Sequence, residues 1–267
     1  MNESFYALLE EATFTKEMLA AGVTQLGKAN YARKGVYFQA FTSLATGLER
    51  IGKLCLILDY YINNNGRFPE LAFLKKNIGH DLGLLYQKAK DIIPTQDVKF
   101  RFLDNLDADL HQKILIILSE FAKGDRYSNI DFIVTHSRKS DPIFQWHERV
   151  DNFIFENRVS KGKKEKIKRN SELVELLAGQ HMTVSFTDEL RNNLTSVTNA
   201  SFHTGKTEAV AKYRQLYVLQ IIRYWVELLN ELGFKAMSIR KEVPFFSEIF
   251  AIFYNDDSYF LNRKTFD

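Results

Sequence analysis

The chain has 267 residues, of which 45% are hydrophobic and 26% charged, and it contains 22 Phe and 12 Tyr. This composition excludes a disordered tail, a collagen-like fibre and a low-complexity scaffold, because it supplies enough large apolar side chains for a sizeable core. The formal net charge is +3. Seven basic residues against one acidic residue between Arg158 and Arg169 leave the rest of the chain slightly negative.

The cellular compartment is indicated by the cysteine count and the first residues. Cys55 is the single cysteine, which excludes an intrachain disulfide and suits a reducing compartment. The stretch from Met1 to Ser4 lacks the basic and apolar regions of a secretory signal. No stretch approaches the roughly 20 consecutive apolar residues of a membrane span. These observations predict a cytoplasmic protein with no membrane partner.

Apolar residues recur every three or four positions along most of the chain, which is the spacing of amphipathic helices. The pattern predicts helices over residues 5–26, 31–61, 71–93, 98–121, 208–232 and 245–253. Each of the four prolines, Pro69, Pro94, Pro142 and Pro244, is expected to end a stretch with helical spacing. The candidate strands, at residues 113–118 and 181–186, have no alternating partners bounded by turns. The predicted fold class is therefore all-α.

The predicted organisation has three parts. Residues 1–30 form an N-terminal helix, residues 31–233 a helical bundle and residues 234–267 a C-terminal extension. The extension is too apolar to stay in water, so we expect it to pack on the bundle, with a dimer surface as the alternative. Residues 157–170 contain Gly162 and almost no apolar side chain, which predicts an exposed, mobile basic loop inserted in the bundle.

Four stretches together resemble a known family. Residues 38–53, with Glu49 and Lys53 four apart, precede a Gly-His-Asp-Leu sequence at residues 79–82, and residues 125–132 begin Asp-Arg-Tyr. Further on, residues 198–203 read Thr-Asn-Ala-Ser-Phe-His before a long amphipathic stretch. These features are similar to the HEPN superfamily, whose members carry Arg-Asn-x-x-x-His at the last position. Asn199 and His203 match that motif, whereas Thr198 replaces the arginine.

The resemblance implies a HEPN-like helical bundle that binds RNA as a homodimer. It also implies a metal-independent endoribonuclease, with no cofactor, in bacterial toxin–antitoxin or phage defence, and a partner protein encoded nearby. His203 would move protons near neutral pH, and Asn199 would orient it or donate to the phosphate. Because Thr198 carries no charge, Arg191 or Lys206, from the same chain or a second copy, would have to neutralise the phosphate.

The sequence leaves two interpretations of the basic segment, residues 157–170, open. It is either a solvated loop or an electrostatic arm that attracts the RNA backbone without reading its sequence. The arm would consist of Lys161, Lys163, Lys164, Lys166, Lys168 and Arg169.

The sequence has other features that bear on function. A catalytically inactive helical module that binds a partner protein or nucleic acid is the main alternative, because of Thr198. Residues 200–207 fit a relaxed phosphate-loop pattern, but the preceding residues are too polar for a buried strand and only one glycine is present. His80 is expected to have a structural role in the first hairpin. His136 and His147 lack further ligands at zinc spacing.

Overall fold

The computed structural model describes residues 2–70, 73, 80–137, 140–240 and 242–266. In chain order it contains α1 (Glu3–Lys28), α2 (Gly35–Asn63), α3 (Leu82–Thr95), α4 (Asp109–Lys123), α5 (Ser128–Thr135), α6 (Pro142–Trp146), α7 (Asn152–Arg158), α8 (Lys161–Ala178), β1 (Phe186–Thr187), β2 (Asn193–Leu194), α9 (Val197–Ile239), α10 (Phe246–Ile249) and α11 (Asp257–Asn262). A π turn, His147–Asp151, joins α6 to α7. The all-α prediction is confirmed, since the sheet in the described residues is a single two-residue antiparallel pair with Phe186 opposite Leu194.

Helices α1, α2 and α9 form the centre of the bundle. Their buried positions follow the three- and four-residue spacing of the sequence, from Leu19 on α1 to Leu44 on α2 and Leu219 on α9. Two glycines let α1 and α2 approach closely. A Cβ at Gly22 would lie 2.7 Å from Leu44 Cγ, and one at Gly47 would lie 2.7 Å from Leu19 Cδ2. Each glycine therefore accommodates a leucine of the opposite helix.

The C-terminal extension packs on this bundle. Phe250, Phe253, Phe260 and Phe266 are all fully buried. The backbone N–H of Phe266 donates to Thr24 Oγ1 of α1 at 3.0 Å. These contacts cover apolar surface of the central helices that would otherwise face water.

Several predicted boundaries are wrong. The helix expected from residue 98 begins only at Asp109. The helix expected from residue 208 begins at Val197, where Ser196 caps it by accepting from the N–H of Asn199 at 3.1 Å. Pro142 starts a helix instead of ending one, which is the position where its missing N–H costs nothing. Residues 71–72 and 74–79, within the predicted first hairpin, lie outside the described residues.

The basic segment is a helix and not a mobile loop, so that prediction is also wrong. Ser160 caps α8 by accepting from the N–H of Lys163 at 3.3 Å. Ile167 and Ser171 are buried against α9, and a Cβ at Gly205 would lie 2.8 Å from Ile167 Cγ2. Lysine and glutamate are good helix formers, so a narrow contact stripe is enough to hold a helix whose other faces are charged. None of the helices in the described ranges combines the length and apolar character needed to cross a bilayer.

Candidate functional site

His203 lies in the second turn of α9, at the rim of a polar cluster. Its side chain is 19% exposed, and its Nε2 is 3.8 Å from Asp188 Oδ2. The ring contacts Tyr31 edge to face at 6.1 Å and lies nearly parallel to His147 at 6.4 Å between centroids. The imidazole is therefore reachable from solvent, backed by a carboxylate and held by two rings.

Asp188 is presented by the turn between β1 and β2. Its Oδ1 accepts from the N–H of Asn192 at 2.7 Å, and its Oδ2 accepts from the Asn192 side-chain amide at 3.1 Å. Lys34 Nζ donates to the backbone carbonyl of Asp188 at 2.7 Å. These bonds hold the carboxylate toward α9, where it favours the protonated form of His203.

His147, in the π turn, is the second histidine of the cluster and is only 3% exposed. Its Nε2 lies 3.4 Å from Lys206 Nζ, and its Nδ1 lies 3.8 Å from Glu189 Oε2. An ammonium group only donates, so Nε2 is the acceptor and the neutral ring carries its hydrogen on Nδ1, toward Glu189. Burial and the charge of Lys206 lower the pKa of His147 to about 3.

Lys206 supplies the cation nearest to His203 on α9. It follows His203 by three residues, so both side chains lie on one side of the helix. Its Nζ donates to Asn152 Oδ1 at 2.6 Å. Burial lowers the pKa of Lys206. The pKa of His203 is lowered by burial and also by Lys206, against the opposing effect of Asp188, so the ring is neutral at pH 7.

A buried ion pair lies beneath the two histidines and joins the elements that carry them. Arg214 Nη1 of α9 donates to Asp151 Oδ2 and to Tyr37 Oη, each at 3.1 Å. The indole N–H of Trp146 donates to Asp151 Oδ1 at 3.1 Å, and Tyr37 Oη donates to Glu189 Oε1 at 3.3 Å. The network therefore connects α2, the π turn, the β turn and α9, and it fixes the positions of the groups above it.

The three motif positions on α9 separate in space. Asn199 is exposed one turn before His203, and the side chain against the imidazole is that of Asp188, which the sequence analysis did not single out. Thr198 donates from its N–H and its Oγ1 to Glu175 Oε2, at 2.8 and 2.9 Å. Thr198 therefore ties α9 to α8.

Arg191 lies in the β turn and not on a helix leading to the motif. Its backbone is in the left-handed region, with φ of 67°, and its Nε donates to Asp141 Oδ2 at 2.9 Å. With Lys34 and Glu189 it lines a cleft of about 600 Å³. The turn brings Arg191 beside Asp188 directly, since its backbone N–H donates to the Asp188 carbonyl at 3.2 Å.

The basic residues lie on α8, next to the helix segment that carries His203. Most of them are exposed: Lys161, Lys163, Lys166, Lys168 and Arg169. Lys164 differs, since its Nζ is 2.8 Å from Glu156 Oε2. The contact of Ile167 with Gly205, two residues after His203, places this row of positive charge alongside the cluster.

His80 and residues 200–207 have structural roles in the described part of the chain. His80 Nδ1 lies 2.8 Å from Glu49 Oε2 of α2, and Glu49 also pairs with Lys53. Asp81, not His80, caps α3 by accepting from the N–H of Leu84. Residues 200–207 lie inside α9, so their N–H groups are not arranged as a phosphate loop.

Asp188, Glu189 and Tyr31 were not predicted from the sequence, and His147 was examined only for a zinc site, which its surrounding residues did not favour. A signal for the carboxylates was present in the polar Thr-Asp-Glu sequence at residues 187–189, but nothing local relates it to His203. Among the described residues, no group of three or more His, Cys, Asp or Glu side chains is arranged to hold a metal ion.

Comparison with protein-family models finds no match, and searches of curated proteins and of solved structures find no significant similarity. The HEPN resemblance therefore stays a prediction. The function has to be argued from the geometry around His203.

Proposed function

We propose that this chain is a HEPN-like endoribonuclease that cleaves RNA without a metal, in bacterial phage defence or a toxin–antitoxin system in the cytoplasm. The observation that carries the proposal is the arrangement of His203, a rim imidazole with Asp188 at 3.8 Å and Lys206 one helical turn away. A proton acceptor beside a cation is what cleavage of a phosphodiester by its own 2′-hydroxyl needs.

The reaction distributes its steps between these groups. Neutral His203 takes the proton of the ribose 2′-hydroxyl as the 2′-oxygen bonds to phosphorus. The bond from phosphorus to the 5′-oxygen breaks, and Lys206, whose pKa is lowered by burial, donates a proton to the leaving oxygen. Asp188 stabilises the imidazolium that forms. The products are a 2′,3′-cyclic phosphate and a 5′-hydroxyl, and solvent resets both groups.

A digestion of single-stranded RNA in the presence of a chelator tests the proposal. We expect the wild type to leave 2′,3′-cyclic phosphate ends and His203→Ala to leave the RNA intact. His136→Ala, which alters an exposed histidine at the end of α5, is the matched control and should cleave like the wild type. Persistent cleavage by His203→Ala would refute the assignment of His203 as the proton acceptor.

The pairing of the cations favours a second candidate, a catalytically inactive module that binds RNA or a partner protein. Arg191 is paired with Asp141, Lys206 donates to Asn152, and Thr198 is held by Glu175. In that case the purified wild type leaves the RNA intact in the same digestion.

A homodimer is part of the proposal. Ile130, Ile133 and Val134 of α5 are exposed, and an apolar face of this kind is available to a second copy. Sedimentation measurements should give twice the monomer mass of 31.1 kDa, and Ile133→Asp should reduce it to the monomer value.

A further inference from the structure

We infer that Phe186 is a stacking platform for an unpaired base of the RNA, next to the phosphate that lies at His203. The inference deepens the proposed function and depends on it for the identity of the ligand. It starts from one feature, an exposed aromatic ring at the edge of a cleft beside the polar cluster.

Phe186 is both exposed and firmly placed. It is 48% exposed on β1, yet it contacts the buried ring of Tyr31 edge to face, at 5.7 Å between centroids. Tyr31 is itself fixed to α9, because its hydroxyl donates to the carbonyl of Ala200 and lies 3.2 Å from Thr204 Oγ1. A ring that is held in place loses little conformational entropy when a base stacks on it.

The same tyrosine connects Phe186 to the proposed reaction centre. The Tyr31 ring makes edge-to-face contacts with both Phe186 and His203, the latter at 6.1 Å between centroids. One aromatic ring therefore separates the platform from the imidazole. A base stacked on Phe186 belongs to a nucleotide adjoining the one whose phosphate is cleaved.

The cleft beside Phe186 has the size and lining for a nucleotide. Its volume is about 500 Å³, within the range of about 300–1,000 Å³ typical of ligand sites. The polar side chains in its wall are Ser185, Thr187, Asn193 and Thr195, and hydroxyl and amide groups both donate and accept toward base edges. Lys34 lines this cleft and the one that holds Arg191, which places a cation between them for the backbone phosphate.

The platform defines the substrate class. Bases in a duplex are already stacked on their neighbours, whereas an unpaired base is free to stack on an aromatic side chain. The basic helix α8 contributes charge but contains no aromatic residue. Phe186 therefore supplies the contact that distinguishes single-stranded RNA from a double helix, and it tolerates every base.

The test measures binding of a fluorescein-labelled ten-nucleotide single-stranded RNA by anisotropy, in a His203→Ala background so that the probe stays intact. Phe186→Ala should weaken binding about 5- to 150-fold, the range measured for loss of one base–aromatic stack. Phe186→Trp should keep or increase affinity. Phe186→Leu, which keeps an apolar side chain against Tyr31 but has no π face, should lose affinity like the alanine variant.

Phe234→Ala is the matched control. Phe234 is 50% exposed on the same helix as His203, and its 31-residue separation from His203 corresponds to about 46 Å along the axis. It should bind like the parent. A duplex of the same sequence should bind Phe186→Ala and the parent equally.

An unchanged affinity of Phe186→Ala and Phe186→Leu would overturn the inference, as would an equal loss in Phe234→Ala.

The outcome is separable from that of the nuclease proposal. If the wild type cleaves RNA while both Phe186 variants bind normally, only the platform fails. If the Phe186 variants lose binding while the wild type never cleaves, the platform stands and the nuclease fails. Absence of any RNA binding would refute both.

Discussion

Replacing His147 with glutamine removes a titrating ring from the centre of the cluster while keeping an acceptor for Lys206. Burial and the charge of Lys206 lower the pKa of His147 to about 3 in the folded protein, whereas histidine in an unfolded chain titrates at about 6.5. Between these values the unfolded state binds a proton that the folded state does not. The free energy of unfolding therefore falls as the pH is lowered through this window.

The magnitude follows from the pKa difference. One pKa unit corresponds to about 1.36 kcal/mol, so lowering the pH from 7 to 4 should cost about 3 kcal/mol through His147 alone. Burial raises the pKa values of Asp151 and Glu189, so these carboxyls act in the opposite direction and favour folding as the pH falls. They are present in both proteins, and the comparison with His147→Gln isolates the histidine.

Urea unfolding at pH 7 and pH 4 measures the effect. The wild type should lose about 3 kcal/mol more stability across this interval than His147→Gln, and His136→Gln, at an exposed position, should behave like the wild type. An equal loss in wild type and His147→Gln would refute the reasoning, because it would mean that His147 is protonated in the folded protein.

Three further changes test other parts of the structure. Arg214→Met leaves the fully buried Asp151 carboxylate without its guanidinium and should lower the free energy of unfolding by about 3–5 kcal/mol. A loss below about 1 kcal/mol would show that the ion pair is not needed for stability. Thr198→Arg should not raise the rate of RNA cleavage, because Glu175 already accepts from residue 198 at 2.9 Å and would pair with the new guanidinium. The rate should rise only when Glu175→Gln is added. A higher rate in the single variant would contradict this explanation. Changing Lys161, Lys163, Lys166 and Lys168 together to glutamine should flatten the slope of log affinity against log salt by up to about 3, at about 0.7 per phosphate contact. Lys164→Gln, which alters a lysine already paired with Glu156, should change this slope little. An unchanged slope in the fourfold variant would exclude α8 as an RNA contact.

The central helices were predictable because their signal is local. The stretches expected over residues 5–26 and 31–61 correspond to α1, Glu3–Lys28, and α2, Gly35–Asn63. Backbone hydrogen bonds of a helix join residues four apart, and its apolar stripe repeats at the same interval. A sequence that maintains this pattern over several turns therefore specifies both the helix and the face it buries.

The basic helix and the start of α9 were not predictable in this way. Helix α8 buries only Ile167 and Ser171 among its 18 residues, so it has no stripe wide enough to detect, and its structure depends on contact with Gly205 and Thr198 of α9. The first turns of α9 are similarly polar. Both segments are helical because each one covers the other.

The same difference between local signals and tertiary contacts applies to the candidate site. His203 and Lys206 lie one turn apart on a single helix, and the sequence alone identified both residues. His147 and Asp188, by contrast, come from the π turn and the β turn. The buried Arg214–Asp151 pair joins the π turn to α9. Residue types and local spacing determined the helices and singled out His203 as a candidate residue. Packing between distant segments decided which carboxylate, which second histidine and which exposed aromatic ring lie around His203, because such proximity depends on tertiary contacts that no local pattern encodes.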